Sequence, residues 1–558
     1  MRGDDFSRIA VAARKHPPGY ALHKYWARKP HNVVRRALEA CGVGAGAVVL
    51  DPFCGSGVPL SEAAALGARC IGVDVNPIAV ELTKAMLDPP DAEAYRRVVT
   101  GVLDDVEREL AGAFEMDGRP IRYVVHATVV ECPSCGAGVS ADAAGRRARR
   151  YVCPSCDARL SFNLEHLVAT RPLRAVLDDG RAVALNAQAP AASRAPSARA
   201  VSRFDHEFHH NARILAYRGM RTRDLFTPRN FAALTAIASR LARLPQPVRS
   251  AARLTLTASV AQCSRLVAYR NDLTTGGPAW TVPGFWVPPL HLETNPIVHM
   301  RARLQRAHKA FQHLGALPGR GPAHVVLRGD CVELLAAGLP GGERASVVFL
   351  DPPYGDSVPY LEFSALWNSF LGEAPDPALD LAVSDRSRGD GTWESYACRL
   401  GLVAGALRGA LRRDGRVVVT FNNKDVRAWR ALLAALQQAR LRCEGAFYQH
   451  PAVVSTKAQL AQEGSYVGDV WARFARSAQR PSRDLHRVSA AVRRAVKSHP
   501  ALRRDREALK RIAVLAWLRH DVDASLFEQL PELLTEAAGG DRSARSEAGW
   551  PGGRSGRP

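Results

Sequence analysis

Five short apolar runs carry the strongest pattern in the chain. Ala47-Val-Val-Leu50, Cys70-Ile-Gly-Val73, His324-Val-Val-Leu327, Ser346-Val-Val-Phe-Leu350 and Arg416-Val-Val-Val-Thr420 show little polar alternation. Such runs predict strands buried on both faces, as in a parallel sheet. Helix-forming stretches lie between or beside them: Pro59 to Leu66, Ile78 to Leu87, and Cys398 to Leu411 ahead of the turn Arg413-Asp-Gly415. Phe447 to Val454 and Tyr466 to Phe474 predict a closing antiparallel hairpin. The alternation predicts an α/β fold with a doubly wound sheet.

The alternation stops between the second and third runs. Residues 120–165 hold two CxxC pairs, Asp178 to Arg203 is an Ala/Pro/Ser/Arg stretch that reads as a linker or exposed loop, and Asn211 to Leu314 is mostly helical around a Gly/Pro/Trp/Phe-rich segment at 276–289. One α/β domain is therefore expected in two pieces, residues 1–100 and 320–475, split by an insertion of roughly 230 residues. The insertion divides into a cysteine-bearing unit at 120–165 and a mainly helical one at 200–318. A helical extension follows at 476–538, and a Gly/Ser/Arg-rich tail at 539–558 is expected to be disordered.

Composition narrows the function. The chain has 558 residues, 47% of them apolar, enough for a sizeable core and for several domains. No apolar run approaches the ~20 residues of a membrane span, and no signal peptide is visible, so a cytoplasmic location without membrane association is expected. The net charge of +22 points to a polyanionic partner, most simply nucleic acid. Arginine accounts for 67 of the 76 basic residues, a bias that a G+C-rich genome also produces, but that bias explains Arg over Lys and not Arg over Asp and Glu. From Arg476 to Arg511 twelve basic residues face three acidic ones, a local excess of +9.

Two loops carry the candidate chemistry. The run Val48-Val-Leu50 ends in Asp51-Pro52-Phe53-Cys54-Gly55-Ser56-Gly57, a glycine turn opening a helix, where the backbone can approach a ligand closely. Asp74 ends the next strand, seventeen residues after Gly57, and is placed to accept from ribose hydroxyls, with Asn76 just beyond. The glycines do not form GxGxxG and no P-loop lysine follows, so a nucleoside without phosphate fits better than a nucleotide. The second loop is Asp351-Pro352-Pro353-Tyr354 after Val347 to Leu350. Its carboxylate, its free carbonyls and its flat aromatic face together suit a planar group bearing an exocyclic NH₂.

This pair of loops resembles those of the S-adenosylmethionine-dependent amino-methyltransferases that act on DNA. With the cysteine pairs between them, and with Gly219 to Arg229 and Asn271 to Gly277 following, the chain over about residues 20–475 resembles the zinc-ribbon-containing adenine-specific DNA methyltransferases. The resemblance implies a Rossmann-like methyltransferase sheet and S-adenosylmethionine as cofactor. His23-Lys-Tyr-Trp-Ala-Arg-Lys29-Pro30-His-Asn32 looks like the family's cofactor-tail motif, and Asp330 matches the strand end that contacts the cofactor adenine. By the same resemblance Tyr354 stacks on an extruded adenine. Asp351 and the Pro352 carbonyl accept from its N6, and N6-methyladenine forms by direct in-line attack. Residues 200–318 become the candidate target-recognition region, and restriction or phage-defence proteins become candidate partners. DNA cytosine-N4 methylation, RNA guanine-N2 methylation and methylation of a protein glutamine amide remain alternatives, as does a non-catalytic zinc-ribbon DNA-binding protein.

Cys132-Pro-Ser-Cys135 and Cys153-Pro-Ser-Cys156, 17 residues apart, have the spacing of a structural Cys₄ zinc site. Arg146, Arg147, Arg149 and Arg150 lie between the knuckles and are either a solvated hairpin tip or phosphate contacts. The cluster His206, His209 and His210 reads as polar surface ahead of a second metal site. Trp280, Phe285 and Trp286 read equally as a packed loop or as DNA-stacking rings. Cys54 is read as packing, and Cys41, Cys70, Cys263, Cys331, Cys398 and Cys443 as core.

Overall fold

The computed structural model describes residues 5–110, 112–148, 150–185, 198–269, 284–384, 392–451 and 468–537. Arg149, Trp280, the stretch Asn271 to Gly277, the loop of the expected hairpin and the C-terminal tail lie outside the described residues.

Seven strands form the main sheet: β1 (Val48–Asp51), β2 (Arg69–Asp74), β3 (Val325–Arg328), β4 (Ala345–Leu350), β5 (Leu411–Phe421), β6 (Leu441–Gln449) and β7 (Asp469–Arg476). Their order across the sheet is β3-β2-β1-β4-β5-β7-β6. All pairings from β3 to β5 are parallel, and β7 runs antiparallel between β5 and β6. This mixed α/β architecture is compatible with a methyltransferase fold. β1 joins β4 in the register Val49↔Val347 and Leu50↔Val348, so strands from the two ends of the chain are direct neighbours. The order reverses between β1 and β4, and in open parallel sheets ligands bind at such a reversal, beyond the carboxyl ends of the strands.

The central strands are buried on both faces because they are apolar between their ends. In β4, Val347 and Phe349 join one core cluster, while Val348 and Leu350 join another on the opposite face. Helices α1 (His31–Ala40), α2 (Val58–Ala65), α3 (Pro77–Leu87) and α4 (Tyr360–Leu371) contribute to the first cluster. The second receives α5 (Trp393–Ala410), α6 (Val426–Gln438), α7 (His486–Ser498) and α8 (Arg506–His520). Val488, Val492 and Val496 repeat every four residues on α7 and, with Trp517 of α8, seal that face. The helices after Arg476 are thus part of the sheet's cover.

Between β2 and β3 the chain builds an antiparallel sheet of six strands. Its long members, Arg119–Glu131 and Leu167–Leu177, pair with each other, and Leu290–Thr294 lies against the first. The cysteine knuckles sit in the excursion between those long strands, beside a small three-stranded sheet. Helices Pro228–Leu241, Val248–Val260 and Pro296–Gly315 join the main sheet's first core cluster, with Val248–Val260 packed against α3 and α4.

Several expectations need correction. The stretch Asp178 to Arg203 is no plain linker, since Ala182–Ala184 is an edge strand and Ala198–Phe204 a helix. The Arg413-Asp-Gly415 turn is absorbed into β5 as an irregularity in its pairing with β4. Cys398 is exposed, because α5 turns Tyr396, Leu400 and Val403 inward and leaves position 398 on the opposite side. Cys41 and Cys443 are half-buried, whereas Cys54, Cys70, Cys263 and Cys331 are core. Phe285 is buried against Phe208, which fits a packed loop, and Trp286 is half-buried. Among the described residues no helix is long and apolar enough to cross a membrane.

Candidate active site

The carboxyl edge of the sheet gathers acidic groups because four of its five parallel strands carry one at or just beyond their ends. Asp51 ends β1, Asp74 ends β2, Asp330 follows β3 by two residues and Asp351 follows β4 directly. β7 runs the other way, so its first residue, Asp469, arrives at the same edge. A cleft of about 940 Å³ opens there. Its walls include Asp51, Asp74, Asp330, Asp351 and Asp380 against two cations, Lys29 and Arg399.

In the glycine loop, Gly55 and Gly57 take positive φ angles of 45° and 73°. A Cβ on Gly57 would come within 2.9 Å of Thr83 Oγ1 and 3.0 Å of its Cα, so this turn requires glycine. Both Asp74 oxygens accept backbone N–H groups at 2.8 Å, one from Gly55 and one from Asn76, so the carboxylate shapes the loop it faces. Burial still pushes the Asp74 carboxyl up to about 6. Asp51 is 1% exposed. Its Oδ1 accepts from Phe53 N at 3.1 Å, while its buried Oδ2 has no partner. Burial raises this carboxyl well above the usual range, and the nearby Asp351 and Asp74 charges add to the shift.

The second loop is tied down on one side and open on the other. Asp351 Oδ1 accepts from Thr420 Oγ1 at 2.6 Å and Tyr354 Oη at 2.8 Å, and the Lys29 ammonium stands 3.3 Å away. Lys29, 4% exposed, also donates to Asp469 Oδ2 at 2.9 Å and to Tyr354 Oη. Burial pulls Lys29 down, but Asp351 and Asp469 outweigh it, so the net shift is upward and the ammonium persists. Burial raises Asp351 despite Lys29. Among the described residues no hydrogen bond reaches Asp351 Oδ2 or the Pro352 carbonyl. The Pro353 carbonyl is occupied by Tyr396 Oη at 2.8 Å and Gly355 N at 3.0 Å, and Asn423 Nδ2 holds the Tyr354 carbonyl at 2.7 Å.

Most of the residues singled out from the sequence meet in this cleft. Lys29, Asp51, Pro52, Phe53, Gly55, Ser56, Asp74, Asn76, Asp330, Asp351 and Pro353 line it, whereas Pro30, Gly57, Pro352 and Tyr354 are not among its walls, and the Tyr354 ring has the Lys29 ammonium 4.7 Å over it and Phe421 packed at 4.9 Å. Lys29 sits against the Asp-Pro-Pro-Tyr loop and links the two motifs. The Asn76 amide turns away, pairing with Ser364 at 2.9 Å and Asn368 at 3.0 Å to dock α4. The Asp330 carboxylate caps the following helix through Val332 N at 2.8 Å and pairs with Arg399, also at 2.8 Å. Tyr25, Tyr360, Asp380, Arg399, Thr420 and Asp469 were missed. Tyr25 stands inside the His23 to Asn32 stretch without having been singled out, Tyr360, Asp380 and Arg399 reach the cleft only through the fold, and Thr420 and Asp469 act behind it by holding Asp351 and Lys29.

The cysteines form a second constellation. Cys132, Cys135, Cys153 and Cys156 present sulfurs all within 4.8 Å of one another, a cluster that could hold a metal ion. Cys132 and Cys156 sulfurs are 3.6 Å apart and those of Cys135 and Cys153 3.8 Å. A tetrahedral ion with ~2.3 Å bonds gives sulfur edges of ~3.8 Å, whereas a disulfide needs ~2.05 Å. The two turns are built alike: Cys132 N donates to Ala137 O and Cys153 N to Ala158 O, both at 2.8 Å, with Gly136 and Asp157 at positive φ. Backbone N–H groups of Cys135 and Ser134 bring the Cys132 thiol down to about 6. Arg147 pairs with Asp157 at 2.6 Å and Arg146 lies over the Tyr151 ring, so both brace the hairpin, while Arg150 starts the returning strand. His206, His209 and His210 belong to no group of three metal-ligating side chains among the described residues.

The model of a DNA methylase family, that of N6/N4 methyltransferases, matches residues 5–85. This span holds Lys29, Asp51 and Asp74 and stops before Asp351. A tRNA (guanine(10)-N2)-dimethyltransferase of Methanothermobacter thermautotrophicus is 31% identical over 148 residues, which are 26% of this chain and 39% of the relative. The chain therefore covers about two fifths of that relative's length. Both matches support a methyltransferase.

Proposed function

We propose that the chain is a DNA methyltransferase that places the exocyclic N6 amine of adenine against S-adenosylmethionine. The observation that carries this reading is the half-loaded Asp351: three donors crowd Oδ1, and Oδ2 is left facing the cleft as an acceptor. The cofactor supplies an electrophilic methyl group on a sulfonium. The site suits such a ligand on three counts. Five carboxylates against two cations favour a cationic ligand and oppose a nucleotide's phosphates. The orphaned Asp51 Oδ2 is a buried acceptor suited to an ammonium. Asp74 and Asp380 supply acceptors for ribose hydroxyls.

Asp351 Oδ2 and the Pro352 carbonyl then accept the two N–H bonds of a target amine, and the Tyr354 ring carries the base. Accepting both protons leaves the nitrogen lone pair free to point into the cleft. Lys29 and Asp469 fix Asp351 from behind. The chain thus contributes position and preorganised charge rather than a covalent step. The cysteine cluster holds a structural Zn²⁺ with no open coordination position, as four thiolates complete its shell.

The tRNA methyltransferase relative favours a second reading, transfer to guanine N2 in RNA. Incubation with labelled cofactor and either unmethylated DNA or tRNA separates the two. Label in DNA supports the proposal, and label in tRNA alone overturns it.

A pH dependence follows from Asp74. Ribose hydroxyls donate to its ionised form, so cofactor binding lowers a carboxyl pKa that stands at about 6 in the free protein. Affinity should therefore be flat above pH 6 and fall below it, about tenfold weaker at pH 5 than at pH 7 for one linked proton. Asp51, shifted in the same direction, steepens the fall. For stability the sign is opposite: a raised carboxyl pKa stabilises the free fold as pH drops through 6. Calorimetric titration across pH 5–7 checks this, and Asp74→Asn should flatten the profile.

A further inference from the structure

We propose that the exposed arginines between α7 and α8 form a basic lip that grips the phosphate backbone of DNA beside the catalytic cleft. The inference rests on the DNA reading above and assigns a role to the helices after Arg476.

Three contacts locate the lip. Lys510, on the second turn of α8, is 3% exposed and donates to the carbonyls of Asn423 and Lys424. Asn423 is the residue whose amide holds the Tyr354 carbonyl. Arg511 lies 4.6 Å over the Tyr448 ring, and Tyr448 pairs with Val470, next to the Asp469 that holds Lys29. The other end of α8 lies far down the sheet, where Asp521 meets Arg442 near the start of β6. The first turn of α8 therefore stands at the catalytic edge.

Arg506 lies one helical turn before Lys510, about 6 Å along the axis. Arg503 and Arg504 precede it. All three are exposed and have no ion pair among the described residues. Of the acids between them, Asp505 caps α8 by accepting from Ala508 N at 2.9 Å, and Glu507 is half-buried. The outer face of α7 extends the stripe with exposed Arg493, Arg494 and Lys497, opposite its buried valines.

The charge layout explains why such a lip is needed. The cleft is acidic and repels a polyanion, so a strand whose base enters it must be held from outside. Unpaired guanidinium groups at the rim do this and carry no sequence information. Each phosphate they neutralise releases counterions and adds ~0.9 to the slope of log affinity against log salt.

The test uses the full chain and a fluorescent DNA duplex, with anisotropy read at several salt concentrations. R503Q/R504Q/R506Q should weaken DNA binding at least tenfold at low salt and reduce the slope by ~2.7. Cofactor affinity and melting temperature should not move. Arg519→Gln, exposed at the far end of α8, should behave as wild type. A triple variant indistinguishable from Arg519→Gln overturns the lip, as does a wild type that binds tRNA but not DNA. A wild type whose lip behaves as described, yet which transfers no methyl group to DNA, overturns the catalytic reading alone.

Discussion

Asp351→Asn lowers turnover at saturating cofactor by about 10²–10³-fold, the usual effect of removing one oriented polar contact to the reacting group. The direction follows from the three donors on Oδ1. Thr420, Tyr354 and Lys29 all need an acceptor there, so an asparagine must place its oxygen at Oδ1 and its NH₂ at Oδ2. The target amine then meets a donor where it needs an acceptor. The substitution keeps volume and retains a partner for Lys29, so melting temperature and cofactor binding should hold. Asp351→Ala should abolish transfer as well, but it also strips Lys29 of one of its two carboxylates, and losing a partner of a buried charge costs about 3–5 kcal/mol. The asparagine variant is therefore the cleaner one. Single-turnover transfer and cofactor titration check both arms, and near wild-type turnover in either variant removes Asp351 from the chemistry.

The purified chain carries one zinc per molecule, and Cys153→Ser carries none. Structural zinc contributes about 10–16 kcal/mol of apparent binding free energy in small zinc domains, far more than the local packing around these knuckles provides. That packing is a cluster of only eight buried residues, two of them the ligands Cys132 and Cys153. Removing the ion should unfold the segment between Glu131 and Leu167 and expose it to protease. The main sheet has its own core and should persist, so cofactor binding should outlast metal removal. Metal analysis and limited proteolysis decide the matter. Four thiols that titrate freely in the native chain would contradict it.

The buried strands were the most legible part of the sequence. A run such as Val347 to Leu350 has no polar face, so it must lie between two covered surfaces, and the aspartate ending it must lie at an edge. β1 and β4 are direct neighbours in the register Val49↔Val347, a pairing that neither strand's own sequence specifies. The cysteines were legible because their ligand chemistry is local. What escaped was long-range or competed with a louder signal. Lys29 read as part of a cofactor-tail motif, yet its ammonium bridges Asp351 and Asp469, and no pattern within either segment encodes a contact across 440 residues. The strand Arg119–Glu131 carries a β-branched stretch, Tyr123 to Val130, that the adjacent CxxC pairs overshadowed. Asn76 and Asp330 stand at expected strand ends, but their side chains are engaged in docking α4 and capping a helix, choices that tertiary packing makes. The extension after Arg476 read as a basic appendage because twelve basic residues between Arg476 and Arg511 face three acidic ones. The fourfold valine spacing of α7 was the overlooked signal that it covers the sheet.

The most direct test of a DNA adenine methyltransferase is the identity of its product. DNA from a methylation-free host expressing the chain would be digested to nucleosides and analysed by mass spectrometry, beside the same host expressing Asp351→Asn. N6-methyldeoxyadenosine with the wild type and its loss with the variant is the predicted result. Unmodified DNA together with N2-methylguanosine in the host's tRNA would contradict the account.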